Sequence, residues 1–315
     1  MPLDFSHKNS SAIGTGPVPT INASLLGNSI DQHFKTITKV YPEVKVSGKS
    51  TYMNILKAMI KMSYSEGAHA YAGETFSFHD YTDVKIRIRR TSASFQYRYA
   101  IWGLFKVAQY LTENNLFACT IMDLYWSGGG TPVLVGVIEI FPHPMPGIAG
   151  SEEIQNLMGT GRRAETPCSS LNLANSSSFD SNEIDLAAPT NAGKLLVFLE
   201  LQGTKLSVPE VFMTIFVALV HIASFETAHP VHDFEVQDLI TKTELVYEHY
   251  GAPRESPPFF IYQEAARALG YIPKYMFAQH RFEAVTFVLE VDGTPVGTGF
   301  LRRSSSNSPM ASQKV

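Results

Sequence analysis

The most constraining feature of this sequence is a stretch that occurs twice. Residues 53–69 and 213–229 align without a gap at a spacing of 160 positions, and six of the 17 residues are identical. The identical pairs are Met53/Met213, Ile55/Ile215, Ala58/Ala218, Glu66/Glu226, Ala68/Ala228 and His69/His229. A period of this length is far longer than a solenoid repeat, so we interpret it as a duplicated domain.

The similarity continues on both sides of this stretch. Upstream, Lys45-Val46-Ser47 matches Lys205-Leu206-Ser207 at the same spacing. Downstream, we match Ile101-Trp102 with Ile261-Tyr262 at 160, and Gly130-Thr131-Pro132-Val133 with Gly293-Thr294-Pro295-Val296 at 163. The duplication therefore extends over a whole domain and not over one helix alone.

Hydrophobic periodicity predicts the same order of elements in both copies: strand, helix, strand region, helix and hairpin. The first copy has a strand at 34–41, a helix ending near Gly67, a strand region at 75–90, a helix at 94–114 and strands at 117–125 and 133–141. The second has a strand at 195–201, a helix at 208–225, a strand region at 231–250, a helix at 259–269 and strands at 282–291 and 296–302. We expect an α+β fold of two pseudo-twofold-related units, each with a mainly antiparallel sheet and two packed helices.

Segments rich in Ser, Gly, Pro and Asn separate these units. The expected division is a flexible N-terminal arm at 1–33, repeat unit 1 at 34–141, a linker or exposed excursion at 142–193, repeat unit 2 at 194–303 and a disordered tail at 304–315.

The helix Val208–Phe225 differs from its counterpart on the outer face. Lys57 and Lys61 of the first copy are replaced by Val217 and His221 in the second. A helix that is apolar on all sides is buried on all sides. We therefore expect the other copy, the linker or another chain to cover this second face.

Composition excludes several classes of protein. The net charge of −4 gives no general attraction to nucleic acid or to anionic membranes. Two cysteines, Cys119 and Cys168, make neither a disulfide framework nor a zinc motif. No secretory signal follows Met1, and the apolar run at 211–225 is too short to span a bilayer. These features favour an intracellular, cytoplasmic protein with no membrane segment.

The repeated Glu-x-x-His, Glu66 with His69 and Glu226 with His229, is the sharpest candidate for chemistry. On a helix, residues three apart share a face, and two such pairs across a pseudo-twofold axis could hold a metal or act as acid and base. The alternative is structural: Gly67 and Pro230 indicate that each helix ends there, where a His is favoured by the helix dipole. The sequence favours the structural interpretation and identifies neither a metal nor a cofactor.

Lys85, Arg87 and Arg89 form a basic stripe along one face of a predicted strand, and they could bind an anion. A solvated or edge-protecting strand face is the alternative. We matched this region with Thr241, Thr243 and Glu244 in the second copy, so any anion-binding role belongs to the first copy alone. His79-Asp80 and His232-Asp233 are interpreted as loop residues.

Two functions stay open at this point. The first is a non-catalytic binding or assembly protein, built as a pseudo-dimer, that self-associates or binds a protein partner. The second is a small-molecule enzyme or ligand-binding protein. Its pocket would lie between the units, lined by Tyr99, Trp102, Phe212 and Phe216, with the Glu-x-x-His residues supplying the polar groups.

Overall fold

The computed structural model describes residues 20–22, 30–128, 130–144, 194–250 and 260–304. Most of the arm at 1–33, the linker at 142–193 and the tail at 304–315 therefore lie outside the described residues. Among the helices described, none is long and apolar enough to cross a membrane.

The first unit alternates strands with two helices, and a short strand, β1, precedes it. Ser47 caps the first helix, since its hydroxyl accepts a hydrogen bond from the Ser50 N–H at 3.2 Å. The elements are β1 (Thr20–Asn22), β2 (Phe34–Lys45), α1 (Gly48–Met62), β3 (Gly73–Phe76), a 3₁₀ turn (His79–Tyr81), β4 (Val84–Arg90), α2 (Tyr97–Glu113), β5 (Ala118–Trp126) and β6 (Val133–Pro142).

The second unit repeats this order. Its first helix begins with a reciprocal capping box, in which the Ser207 hydroxyl accepts from the Glu210 N–H and the Glu210 carboxylate accepts from the Ser207 N–H. The elements are β7 (Leu195–Lys205), α3 (Val208–Ile222), β8 (Phe234–Asp238), β9 (Thr243–His249), α4 (Tyr262–Ala278), β10 (Glu283–Val291) and β11 (Thr294–Arg303).

The two sheets have the same strand order. Sheet 1 runs β2-β5-β6-β4-β3, and sheet 2 runs β7-β10-β11-β9-β8, with all of these neighbours antiparallel. Sheet 2 gains a sixth strand, because β1 from the expected flexible arm pairs in parallel with β8. The predicted fold class, an internally duplicated α+β fold, is confirmed.

The hairpins of the two units even share a β-bulge. The register shifts after Leu124 in the first hairpin and after Leu289 in the second, and these residues pair with Gly136 and Gly297. Two units with the same strand order and the same bulge are copies of one structure.

The sequence match downstream of the first helix was wrong in register. Helix α2 begins at Tyr97 and α4 at Tyr262, a spacing of 165, so Ile101-Trp102 and Ile261-Tyr262 are not equivalent. The Gly-Thr-Pro-Val match at 163 is also displaced, because β6 and β11 correspond at a spacing of 161. The loop at 127–132 shrinks to 292–293 in the second unit, and this difference changes the spacing.

Helix α4 is longer than the predicted 259–269. It continues to Ala278 through Pro273, which lies buried inside it. An interior proline costs about 3 kcal/mol of helix stability. Buried Ile272 and Met276 extend the apolar face of the helix past the proline, and this packing offsets the cost.

The helices of both units pack together between the two sheets. Helix α3 contacts α1, α2 and α4 as well as β8 and β9. Every α3 residue from Glu210 to Ile222 is buried, Val217 and His221 included. At this interface Tyr52 of α1 stacks on Phe212 with ring centroids 5.0 Å apart. The other copy therefore covers the second apolar face of α3, one of the three possibilities that the sequence left open.

Candidate functional site

Both Glu-x-x-His segments lie in turns that follow the helices, since α1 ends at Met62 and α3 at Ile222. In each turn the Glu carbonyl accepts from the His N–H, at 2.9 Å in the first unit and 3.1 Å in the second. The carbonyl of the His then accepts from the first residue of the next helix, Tyr97 or Tyr262, at 3.2 Å in both units. The motif thus joins the end of one helix to the start of the next.

The side chains of the two motifs have different environments. One Glu66 carboxylate oxygen accepts from the Thr227 N–H at 3.1 Å and from the Thr227 hydroxyl at 2.7 Å, across the interface between the units. Glu226 instead pairs with His229 of its own turn at 2.8 Å, and both side chains are exposed. His69 is exposed. Within the described ranges, no group of three or more His, Cys, Asp and Glu side chains is arranged to hold a metal.

The two turns approach each other closely. A Cβ atom added to Gly67 would lie 2.6 Å from the Ala223 carbonyl oxygen, which is closer than any side chain allows. Glycine at this position therefore permits the ends of α1 and α3 to meet.

A groove of about 850 Å³ opens where these helix ends meet. It is lined from both units, and its polar groups include Arg98, Glu66, Glu226 and His221. Trp102 also lines it, but its indole N–H is buried without a hydrogen-bond partner. The groove mixes one fixed positive charge with several carboxylates, so it is not a simple anion or cation site.

The pocket that we expected from the sequence forms only in part. Trp102, Glu66 and Glu226 do line a groove between the units. Tyr99, Phe212 and Phe216 do not line it, and all three side chains are buried. His69 and His229 are not among the residues that line the groove.

His221 is the buried titratable group at this groove. Its ring packs against Phe225 and Phe234, with centroids 4.9 and 5.5 Å away. Burial lowers its pKa from 6.5 to about 4, because the charged imidazolium is poorly solvated there. The ring is therefore neutral at pH 7.

The basic stripe Lys85, Arg87 and Arg89 lies on the outer face of sheet 1, opposite the helices. Arg87 and Arg89 both reach Glu139 on the neighbouring strand β6. Arg89 donates to the carboxylate at 2.8 Å, Arg87 donates to its other oxygen, and Glu139 is completely buried beneath them. Two of the three cations are therefore already paired with a carboxylate.

Glu139 was not among the candidate residues predicted from the sequence. A signal was present, because Glu139 is a lone carboxylate between the apolar residues Ile138 and Ile140 of a predicted strand. Buried carboxylates are almost always paired with cations. The basic strand β4 supplies the cations that pair with this buried carboxylate.

The two His-Asp pairs differ in their contacts. His79 is almost fully exposed, and Asp80 pairs with Lys57 of α1 at 3.3 Å. Asp233 accepts from the His249 N–H at 2.6 Å and so ties its loop to β9. Both pairs lie in loops, and their carboxylates anchor neighbouring elements.

Comparisons with known proteins identify no family for this chain. No protein-family model matches the sequence, and no curated protein matches it. Two solved structures show weak similarity, the tandem DUF26 ectodomains of the cysteine-rich receptor-like proteins PDLP8 and PDLP5 from Arabidopsis thaliana. The TM-scores are 0.23 and 0.22, with 6% and 10% sequence identity; the matches cover 85% of this chain and 96% and 98% of those chains.

The two solved structures are ectodomains, whereas an intracellular, cytoplasmic location was expected from the sequence. That expectation was based on features that the sequence lacks, namely a signal segment and a cysteine framework. We withdraw it and assign no location to the chain.

Proposed function

We propose that this chain is a non-catalytic assembly protein, in which the two units hold each other and present their outer sheet faces to partners. The observation that carries this proposal is the exposure of large apolar side chains on both outer faces. Ile37 on β2 is 61% exposed and Phe198 on β7 is 52% exposed. Exposed apolar patches on a sheet face are typical of interaction surfaces.

The placement of the candidate catalytic groups supports the same proposal. Glu66 is engaged by Thr227, and Glu226 and His229 pair with each other on the surface. A general acid or base needs an open approach to substrate and a suitable pKa. His221 is buried and neutral, so it serves packing better than proton transfer.

Light scattering coupled to size-exclusion chromatography tests the proposal. The molar mass of the purified chain is expected to rise with protein concentration and to fall again at high salt. A strictly monomeric chain at every concentration and salt would overturn self-association.

The groove of about 850 Å³ favours a second candidate function, the binding of a small molecule between the units. Its volume is within the range of ligand pockets, and Arg98 could pair with a carboxylate of the ligand. A thermal-shift screen of small carboxylates against the chain and against Arg98→Ala tests it. Stabilisation of the unaltered chain alone would support this second function.

A further inference from the structure

We infer that copies of this chain join head to tail, with the outer face of sheet 1 in one molecule docked on the outer face of sheet 2 in the next. The inference rests on the proposed assembly function and deepens it. The basic face is defined as the outer side of β2, β5, β6 and β4, and the acidic face as the outer side of β7, β10, β11 and β9.

Strand register establishes which residues of the two faces are equivalent. Ile37 pairs with Asp123 on β5, and Phe198 pairs with Val288 on β10. Since β5 and β10 correspond at a spacing of 165, Ile37 and Phe198 occupy the same position in the duplicated fold. The duplication therefore placed an exposed apolar side chain at the same point on both faces.

Charges at equivalent positions of the two faces have opposite sign. Lys39 corresponds to Glu200, two residues beyond Ile37 and Phe198. On the same outer faces, but on the strands β4 and β9, Lys85 and Arg89 correspond to Glu244 and Glu248. The equivalence follows because β4 and β9 pair with equivalent residues of β6 and β11. This register also corrects the earlier match of the basic stripe with Thr241 and Thr243.

The remaining charges follow the same division. The basic face carries Lys35 and Arg87 in addition, against the carboxylates Glu43, Asp123 and Glu139. The acidic face adds Glu290 and has Arg302 as its cation, which pairs with Glu244 at 2.8 Å. One face is therefore net positive and the other net negative.

Each face also has an apolar part that can be buried on contact. Ile121 and Phe141 accompany Ile37 on the basic face, and Val288 and Phe300 accompany Phe198 on the acidic face. Two sheets pack well face to face when apolar side chains interdigitate about 10 Å apart. Opposite charges around that contact would add attraction and select the partner.

Charge complementarity decides which face of a second copy can dock on each face. Docking two basic faces would bring Lys39, Lys85 and Arg89 of both copies into one interface, and two acidic faces would repel in the same way. A basic face on an acidic face removes that repulsion. Because the helices lie between the sheets, the two faces lie on opposite sides of the molecule, so each copy has room for one neighbour on each face and copies add in series.

Two substitutions at the equivalent exposed positions test the inference. Ile37→Asp adds a carboxylate to the basic face, and Phe198→Lys adds a cation to the acidic face. Each variant alone is expected to stay at the monomer mass in light scattering, whereas the unaltered chain grows into larger species. An equimolar mixture is expected to form dimers, because Ile37→Asp keeps an intact acidic face and Phe198→Lys keeps an intact basic face.

The controls separate this inference from the proposed function. Leu239→Asp changes an equally exposed side chain in the β8–β9 turn, and it is expected to associate like the unaltered chain. If either face variant alone still forms dimers, or if the mixture stays monomeric, the head-to-tail contact is wrong while assembly stands. If the unaltered chain is a monomer at every concentration, both the head-to-tail contact and the proposed self-association are wrong. That result would mean that another occupant covers a face, either residues 145–193 of the same chain or nucleic acid on the basic face.

Discussion

The Glu66 carboxylate of the first unit accepts two hydrogen bonds from Thr227 of the second, one from the backbone N–H and one from the hydroxyl. Its copy, Glu226, instead pairs with His229 at the surface. Glu66 and Glu226 therefore have the same origin in the duplication and different structural roles.

This difference predicts unequal effects of the same substitution. Glu66→Ala leaves the Thr227 N–H without its partner and is expected to lower the free energy of unfolding by about 1–2 kcal/mol. Glu226→Ala removes an exposed contact with the His229 imidazole and is expected to cost less than about 1 kcal/mol. Urea denaturation of both variants measures the difference, and equal losses would contradict the inter-unit role of Glu66.

The pH dependence of stability provides a second prediction, which concerns His221. Its folded pKa of about 4 is below its usual 6.5, so over that interval the unfolded chain binds a proton that the folded chain does not. This contribution to stability is fully present above about pH 6.5 and is lost as the pH falls.

Glu264 at the start of α4 acts in the opposite direction. Burial raises its pKa from 4.5 to about 7, so the folded chain binds a proton that the unfolded chain does not, and its contribution is lost as the pH rises through that interval. The two effects oppose each other between about pH 4.5 and about pH 6.5.

Single substitutions are expected to separate these effects. His221→Leu leaves Glu264 and should make the chain more stable toward acid, whereas Glu264→Gln leaves His221 and should make it less stable, each by roughly 1 kcal/mol per pH unit. Urea midpoints at several pH values measure both slopes. His69→Asn, at an exposed position, is the control and should keep the slope of the unaltered chain. Slopes of the same sign in the two test variants would refute the assignment.

The buried carboxylate of Glu139 provides a third prediction. Arg87 and Arg89 are partly exposed, so loss of the carboxylate removes their charge-assisted hydrogen bonds without leaving a fully buried charge, and it costs about 1.5–3 kcal/mol. Glu139→Gln, which leaves Arg87 and Arg89 side by side, is therefore expected to lower the denaturant midpoint strongly. It should also increase retention on a heparin column, because both guanidinium groups become available to anions.

Arg89→Ala is the matched comparison for Glu139→Gln. It removes a positive charge and leaves Arg87 to neutralise the carboxylate, so the loss of stability should be smaller and heparin retention should fall. Greater heparin retention for Arg89→Ala than for the Gln variant would exclude this electrostatic account.

The sequence predicted the fold well, because hydrophobic periodicity and an internal repeat are both visible in one chain. The sequence match of Met53 with Met213 agrees with the structure, because α1 and α3 are equivalent helices with no insertion between them. Downstream, loops of different length displace the register. The predicted end of α4 at Leu269 was too early, because buried Ile272 and Met276 extend the helix. Periodicity reports local burial and does not count loop residues.

The candidate site was harder to predict, because its features depend on contacts between distant strands. Nothing near Lys85 in the sequence indicates that Glu244 is its structural equivalent, and only the pairing of β9 with β11 establishes it. Likewise, the engagement of Glu66 by Thr227 requires both units to be placed in space. Sequence patterns identify the apolar and charged faces of each strand or helix. Strand register is needed to establish which residues of the two units are equivalent.

Cys119 provides the last prediction. It is completely buried on β5 beside Tyr41 and Val44, and burial together with Glu139 raises the pKa of its thiol to about 12. Because the thiolate is the reactive form, this thiol should not react with a disulfide reagent at neutral pH while the chain is folded. In a Cys168→Ser variant, which retains Cys119 alone, thiol labelling should appear only with denaturant and should follow the unfolding curve measured by circular dichroism. Rapid labelling of the native variant would show that sheet 1 opens locally at β5, which its central packing between β2 and β6 argues against.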